Sequence, residues 1–141
     1  MLCLPSRKTK VTDALKTSKY PDNNPKSQYG VKKPRLSTIP ATALLHVAQA
    51  MQTGNEKYGP YNWRGNKVSA TVYVDAALRH LLTWYNGEDL DEESGANHLA
   101  HAIACMCIVL DAHDVGNLVD DRPPKAPVGK LIRKYAETGK L

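Results

Sequence analysis

The stretch from Ala70 to His113, ATVYVDAALRHLLTWYNGEDLDEESGANHLAHAIACMCIVLDAH, decides the fold of this chain. Its first part, up to Asn86, repeats apolar side chains at helical spacing and predicts a helix capped by Ser69. The repeating positions are Val74, Ala77, Leu78, Leu81 and Tyr85, with Leu82 widening the apolar surface. A second helix is predicted to start near Glu92 or Ser94, and its segment 102–110 is apolar all round, which indicates burial. About six residues, GEDLDE, join the two helices, so they should pack as antiparallel neighbours.

Two further helices flank this pair. The segment STIPATALLHVAQAMQTG predicts a helix over residues 39–53 that ends at Gly54. Residues 128–138, VGKLIRKYAET, predict a short basic amphipathic helix. Between residues 55 and 69 the chain is rich in Gly, Pro and Asn, yet its aromatic side chains need packing, which favours an ordered loop. The predicted fold class is all-α, a small antiparallel bundle of about four helices.

Charge divides the chain into three parts. Residues 1–36 carry a net charge of +7, residues 37–114 carry −5, and residues 115–141 carry +3. The first part is dense in Pro, Asn and Lys, which predicts an extended, partly flexible basic arm. We therefore expect an arm over 1–36, a helical core over 37–118, and a linker with a short basic helix over 119–141.

Several classes of protein are excluded by what the sequence lacks. No apolar run reaches the roughly 18 residues needed to span a bilayer, and the chain starts without a long apolar leader, so a soluble, cytoplasmic protein is expected. Three cysteines without a C-x-x-C pair indicate neither a disulfide framework nor a cysteine zinc site. Neither a phosphate-binding glycine loop nor a serine-hydrolase elbow is present in the sequence.

Residues 79–101 concentrate three histidines and five carboxylates. His80 lies on one predicted helix, His98 and His101 lie three apart on the next, and the connecting turn supplies the carboxylates. Helical bundles build divalent-metal sites in this way; oxygen ligands suit Mg²⁺ or Mn²⁺, and imidazoles shift the preference towards Mn²⁺, Fe²⁺ or Zn²⁺. The alternative is a polar turn in which acids before a helix are stabilised by the helix dipole alone. The five carboxylates are Glu88, Asp89, Asp91, Glu92 and Glu93.

Four segments together resemble the N-terminal domain of phage dATP/dGTP diphosphohydrolases. They are NPKSQYGVKKPRLSTIP, EKYGPYNWR, YVDAALRHLLTWYNGEDLDEESGANHLAHA and DDRPPK, and the resemblance covers residues 24 to about 125. MazG-like nucleotide pyrophosphohydrolases look related in helical plan. The resemblance implies that a phage enzyme hydrolyses a purine deoxynucleoside triphosphate to a monophosphate and pyrophosphate, using a divalent metal.

The resemblance also implies roles for particular residues of the helical core. Glu93 or Asp75 would orient the attacking water. The metal would be Mg²⁺ or Mn²⁺, and Zn²⁺ or Fe²⁺ would also suit the imidazoles. Its ligands would be His80, Glu88, Asp91, His98 and His101. The substrate would be bound by Lys57, Tyr58, Asn62, Trp63, Arg64 and Arg79, although the aromatic residues Tyr58, Tyr61 and Trp63 are equally well explained as a hydrophobic plug.

The chain departs from the MazG-like pattern in its carboxylates. Such enzymes usually carry E-x-x-E on one helix and E-x-x-D on the next, whereas here the first helix has only Asp75 and the second has H-x-x-H. The number of metals and the general base therefore stay open. MazG-like proteins form dimers or tetramers, and a thin, Phe-free bundle suggests the same homo-oligomeric state. Two other functions stay open: a non-catalytic nucleotide- or protein-binding module, and a phage protein whose basic arm binds nucleic acid, which is less favoured because no nucleic-acid-binding motif is present.

Overall fold

The computed structural model describes residues 24–141, and this chain divides after Ala41 into two units. The first unit contains a short helix, α1, over Pro25–Gly30 and a 3-10 helix over Leu36–Thr38. Asn24 caps α1, because its side chain accepts a hydrogen bond from the backbone N–H of Lys26 at 3.0 Å. The prediction of an extended arm is therefore wrong for Pro25–Gly30, and the part of the arm before residue 24 lies outside the described residues.

The second unit is mostly helical, as predicted. Its elements in chain order are α2 (Ala41–Tyr58, starting at the boundary residue), α3 (Asn62–Gly65), β1 (Val68–Ser69), α4 (Ala70–Tyr85), α5 (His98–Asp114), β2 (Leu118–Val119) and α6 (Val128–Thr138). Helices α4 and α5 make the most extensive contact between elements. The all-α prediction missed one feature: β1 and β2 pair in parallel, with Val68 opposite Leu118.

Two predicted helix boundaries are wrong. Helix α2 continues through Gly54 to Tyr58, because a glycine inside a helix costs only about 1 kcal/mol relative to alanine and does not by itself end it. Helix α5 starts at His98, after the side chain of Asn97 accepts a hydrogen bond from the backbone N–H of Leu99 at 2.8 Å. The connection from α4 to α5 therefore runs over residues 86–97, longer than the predicted six residues.

The start of α4 depends on a distant residue. Ser69 occupies the cap position, as predicted, but its side chain makes no capping hydrogen bond. The carboxylate of Asp121 instead accepts hydrogen bonds from the backbone N–H and the hydroxyl of Thr71, at 2.9 and 2.6 Å. The pairing of β1 with β2 brings this carboxylate near the positive end of the α4 dipole.

The core of the second unit is built mainly from alanines. One cluster joins Ala50 of α2 to Ala100 and Ala104 of α5, and another joins Trp63, Val68 and Ala112. The full set of buried apolar residues is Ala50, Trp63, Val68, Ala70, Ala77, Ala96, Ala100, Ala102, Ala104 and Ala112. Small side chains thus fill the interior of the described chain.

Most of the larger apolar side chains of α4 lie on its surface instead. Leu78, Leu82 and Tyr85 are 49%, 60% and 82% exposed, so this apolar stripe faces solvent in the single chain. Ile103 and Leu110 of α5 are also exposed. This helix nevertheless contains five buried residues, more than any other helix between residues 24 and 141, in agreement with its predicted burial. Among the described residues, no helix has the length and hydropathy needed to cross a membrane.

Candidate metal centre and cavity

The turn before α5 holds Asp91 in a fixed position. Its backbone N–H donates to the carbonyl of Ala96 at 2.9 Å, and its carbonyl accepts from the N–H of Gly95 at 2.8 Å. Gly95 has a φ of +67°, a conformation that glycine adopts without steric cost. The Asp91 carboxylate accepts two hydrogen bonds from Ser94, from its hydroxyl at 2.7 Å and its backbone N–H at 3.0 Å. The hydroxyl contact is the main cause that lowers the pKa of Asp91, so this carboxylate is ionised at neutral pH.

Three histidines from two helices meet beside this carboxylate. The Nδ1 atoms of His80 and His98 lie 2.8 Å apart, so at least one of the two nitrogens carries no proton. The His80 ring also stacks on His101, with ring centroids 4.6 Å apart and ring planes 13° apart. Burial is the main cause that lowers the pKa of both His80 and His101, and the neighbouring imidazoles add to it. These two side chains are therefore neutral at pH 7, the form that binds metals.

Ser94 connects His101 to Asp91. The Ser94 hydroxyl has one proton, and the ionised carboxylate of Asp91 at 2.7 Å must receive it. The 2.7 Å contact between Ser94 Oγ and His101 Nε2 is then a hydrogen bond in which Nε2–H donates. Because His101 is neutral, its 3.9 Å approach to Asp91 is not an ion pair, and the two residues interact through Ser94.

Ligand atoms of His80, Asp91 and His98 all lie within 4.8 Å of one another, the spacing of a metal site. His98 is only 7% exposed and the other two are half-buried, so the cluster is partly shielded from water. Two imidazoles and one carboxylate suit Mn²⁺, Fe²⁺ or Zn²⁺ and leave coordination positions for water or substrate. Among the described residues no other group meets this spacing, and the predicted ligand Glu88 is exposed outside it.

A cavity of about 340 Å³ adjoins this cluster, with residues of α2, α3, α4 and α5 in its wall. His101 links the cavity to the cluster, because it lies in the cavity wall and also contacts His80 and Ser94. Trp63 is 6% exposed and belongs to the core, whereas Tyr58 is 70% exposed. The structure thus brings four of the predicted substrate-binding residues together in one wall: Lys57, Tyr58, Asn62 and Trp63.

Lys57 also joins the cavity to the acidic turn. Its Nζ atom lies 2.5 Å from Oε1 of Glu93, the predicted water-orienting carboxylate, and this hydrogen bond raises the pKa of Lys57. Both side chains are exposed, at 40% and 74%, so the pair is accessible to a competing anion. Exposed ion pairs contribute little to stability because water screens the two charges, so a phosphate group can displace Glu93 from Lys57 readily.

Arg64 has a different set of contacts from Lys57. Its guanidinium forms two hydrogen bonds to the Asp111 carboxylate, each 2.8 Å long, while Nε1 of Trp63 donates to the same carboxylate at 2.6 Å. These bonds, those from Arg64 first, lower the pKa of Asp111 to about 2. The Arg64 guanidinium lies over the Tyr61 ring, 4.6 Å from its centroid. The backbone of Tyr61 has a left-handed conformation, with φ +53°. The other predicted residues that lie exposed outside both cavity and cluster are Asp75, Arg79 and Glu88.

Comparison with known proteins agrees with the sequence resemblance. The family model of the dATP/dGTP diphosphohydrolase N-terminal region matches residues 23–122. The chain belongs to this family. It is similar to a protein named dATP/dGTP diphosphohydrolase from Salmonella phage PMBT28, at 33% identity over 96 residues. The match covers 68% of this chain but 32% of that relative, so the chain spans about a third of the relative's length. No solved structure matches.

The family match spans both the histidine cluster and the cavity. Three residues that shape these sites in this family member are not predicted from its sequence. Ser94 was interpreted as the start of a helix, although its position three residues after Asp91 is typical of an Asx turn. Tyr73 lines the cavity. Asp111 holds Trp63 and Arg64, which lie 48 and 47 positions earlier in the chain, so no local sequence pattern indicates these contacts.

Proposed function

We propose that this chain hydrolyses purine deoxynucleoside triphosphates, dATP or dGTP, to the monophosphate and pyrophosphate with a divalent metal ion, in phage nucleotide metabolism. The name of its phage relative supports the substrate class. The observation that carries the proposal is the convergence of His80, Asp91 and His98 within 4.8 Å, beside a cavity of ligand size. Metal ligands next to such a cavity are what phosphoanhydride hydrolysis requires.

In this proposal His80, His98 and Asp91 would hold the metal, Mg²⁺ or Mn²⁺, with Zn²⁺ or Fe²⁺ also compatible with the imidazoles. A divalent ion bound there supplies positive charge to the phosphate oxygens. Ser94 orients Asp91 by donating its hydroxyl proton, and His101 orients Ser94 in turn. Residues that hydrogen-bond to metal ligands fix the geometry of those ligands, and their mutation typically lowers metal affinity 10- to 100-fold.

Lys57 and Glu93 provide the next step of the proposal. An incoming triphosphate competes for Lys57, and Glu93 loses its hydrogen-bond partner when Lys57 turns to the phosphate. The released carboxylate then accepts the proton of the attacking water. The water oxygen forms a bond to the α-phosphorus, the bond from that phosphorus to the bridging oxygen breaks, and pyrophosphate leaves with the electron pair.

The test is product analysis with each deoxynucleoside triphosphate and Mg²⁺ or Mn²⁺. The wild type should convert dATP or dGTP to monophosphate and pyrophosphate, and a chelator should abolish turnover. His98→Ala should lower kcat at least 100-fold, whereas His46→Ala, which removes an exposed imidazole on α2, should leave it unchanged. Thermal unfolding of both variants establishes that they are folded.

A different result would favour the second candidate function. If folded wild-type protein binds dATP but turns over no deoxynucleoside triphosphate with any metal, the chain is a nucleotide-binding module rather than an enzyme. Turnover unaffected by His98→Ala would instead place the chemistry elsewhere in the molecule. The nucleic-acid alternative depends on residues 7–35, of which those before residue 24 lie outside the described residues, and it stays a prediction.

We also propose that the chain forms a homo-oligomer, a dimer or a tetramer, through the apolar stripe of α4. Leu78, Leu82 and Tyr85 are 49–82% exposed, and a surface rich in large apolar side chains is typical of protein–protein contacts. Leu82→Glu should reduce the mass measured by light scattering to that of a monomer, whereas Gln52→Glu on α2 should not. A wild type that is monomeric at micromolar concentration would contradict this proposal.

A further inference from the structure

The cavity beside the histidine cluster has features that metal binding does not explain. Its volume of about 340 Å³ falls in the range of about 300–1,000 Å³ for small-molecule sites. Met51, Trp63 and Ile108 give it apolar wall area. Two polar groups in the same wall, the Tyr73 hydroxyl and the Asn62 side-chain amide, make no hydrogen bond within the part of the chain that the structure describes. An apolar cavity with a few unpaired polar groups is suited to an amphipathic ligand.

The cavity also has a charged side. Lys57 and His101 both belong to its wall, and they contact Glu93 and Ser94, which lie in the turn that carries Asp91. A ligand inside the cavity therefore reaches the proposed metal ligands when it extends past Lys57. Such a ligand has a flat or apolar body and an anionic end.

We propose that this cavity binds the nucleobase of the substrate, with the base against Tyr73 and Trp63 and its polar edge hydrogen-bonded to Asn62. The inference rests on the proposed function, because the attached phosphates would extend to Lys57 and the histidine cluster. A side-chain amide offers both a donor and an acceptor, and it therefore matches the mixed donor and acceptor edge of a base. An acyl chain in the same place would leave the Asn62 amide unpaired, at a free-energy cost.

The first experiment measures binding of deoxyadenosine and deoxyguanosine, which have no phosphates, by calorimetry in the presence of a chelator. The wild type should bind one or both without metal. Ala76→Leu places a larger side chain in the cavity wall and should weaken this binding at least tenfold. Ala48→Leu makes the same change at an exposed position of α2 outside the wall and should have no effect. Unchanged Mn²⁺ affinity of Ala76→Leu establishes that the variant is folded.

The second experiment tests base recognition without filling the cavity. Asn62→Ala should reduce the ratio of kcat/KM between the preferred and least preferred deoxynucleoside triphosphate about five- to tenfold. Gln52→Ala, an exposed amide on α2, should leave that ratio unchanged. If the protein has no hydrolytic activity, the same ratio is taken from the Kd values of the four nucleotides.

The two proposals fail in different ways. If the wild type binds deoxynucleosides, Ala76→Leu abolishes this binding and the wild type shows no turnover, the result supports the base site and contradicts the hydrolytic function. Turnover of dATP or dGTP with unchanged KM in both Ala76→Leu and Asn62→Ala supports the function and overturns the base site. If Ala76→Leu loses both Mn²⁺ binding and nucleoside binding, the variant is misfolded and Asn62→Ala becomes the deciding test. An unchanged kcat/KM ratio between nucleotides in Asn62→Ala then overturns the base site.

Discussion

Replacing Ala112 with leucine should destabilise this protein strongly. Ala112 is fully buried and packs against Trp63 and Val68, which are only 6% and 4% exposed. None of these neighbours can move outward without exposing apolar surface, so an isobutyl group must distort the packing. Overpacking of this kind costs about 1–3 kcal/mol. For a unit of this size each kcal/mol lowers Tm by about 4–8 °C, so we expect a decrease of about 4–24 °C.

Thermal unfolding followed by circular dichroism, at one protein concentration and with a chelator present, measures this effect. The matched control is Ala136→Leu, the same change at an exposed position of α6. A surface change of this kind stays within about 0.5 kcal/mol, so Tm should move by less than about 4 °C. Equal stability of the two variants would refute the reasoning, because it would mean that the site around Ala112 accommodates a larger side chain without cost.

Three further predictions concern the metal centre and the Arg64–Asp111 pair. Mn²⁺ at 100 times its Kd should stabilise the wild type by about 2.7 kcal/mol; thermal unfolding should show no such shift for His98→Ala, and an equal shift would exclude His98 as a ligand. Ser94→Ala should weaken Mn²⁺ affinity about 10- to 100-fold in calorimetry because Asp91 loses its orienting hydrogen bond, whereas Ser94→Thr should retain most of it; equal loss in both would contradict the role of the hydroxyl. The pKa of Asp111 is lowered from 3.8 to about 2 on folding, so its contribution to stability is fully present above pH 3.8 and is lost as pH falls through about 2. Tm of the wild type should therefore fall more between about pH 4 and pH 2 than Tm of Asp111→Asn, and parallel curves would contradict this assignment.

The helices were the most predictable part of the structure because their signal is local. The apolar spacing after Ser69 predicted a helix that ends within two residues of the observed Tyr85. The boundaries that failed depend on contacts that sequence spacing does not show. Asn97 stops the turn and starts α5, and Asp121 replaces Ser69 as the hydrogen-bond acceptor at the start of α4.

Apolar spacing also predicted which side chains share a face, but not what covers that face. Leu78 and Leu82 lie on one stripe of α4, as the spacing indicates, yet both are exposed in a single chain. Alanines can approach a neighbouring helix more closely than leucines, and in this chain they are the residues that occupy the interior. A hydrophobic pattern does not distinguish a core from an oligomer interface, since both remove the same surface from water.

The residue types of the acidic turn predicted a metal site there, but only the folded geometry shows which carboxylate lies beside the histidines. Of the five carboxylates, only Asp91 lies in the cluster with His80 and His98. The tight turn from Asp91 to Gly95 holds the Asp91 carboxylate beside the histidines, whereas Glu88 lies outside this turn and is exposed. This selection depends on backbone hydrogen bonds and on the φ of Gly95, and neither can be derived from the order of charged residues.

The charge of this cluster has a consequence for how it would bind metal and nucleotide. His80 is neutral because burial lowers its pKa, so Asp91 is the main negative charge that faces a bound ion. A divalent cation held by this set would keep a net positive charge in a partly buried position, where charge is costly unless it is paired. Triphosphate oxygens would supply the missing negative charge and the remaining ligands. Metal and nucleotide would therefore strengthen each other's binding by the same factor, as thermodynamic linkage requires, and the reaction would begin only when both are present.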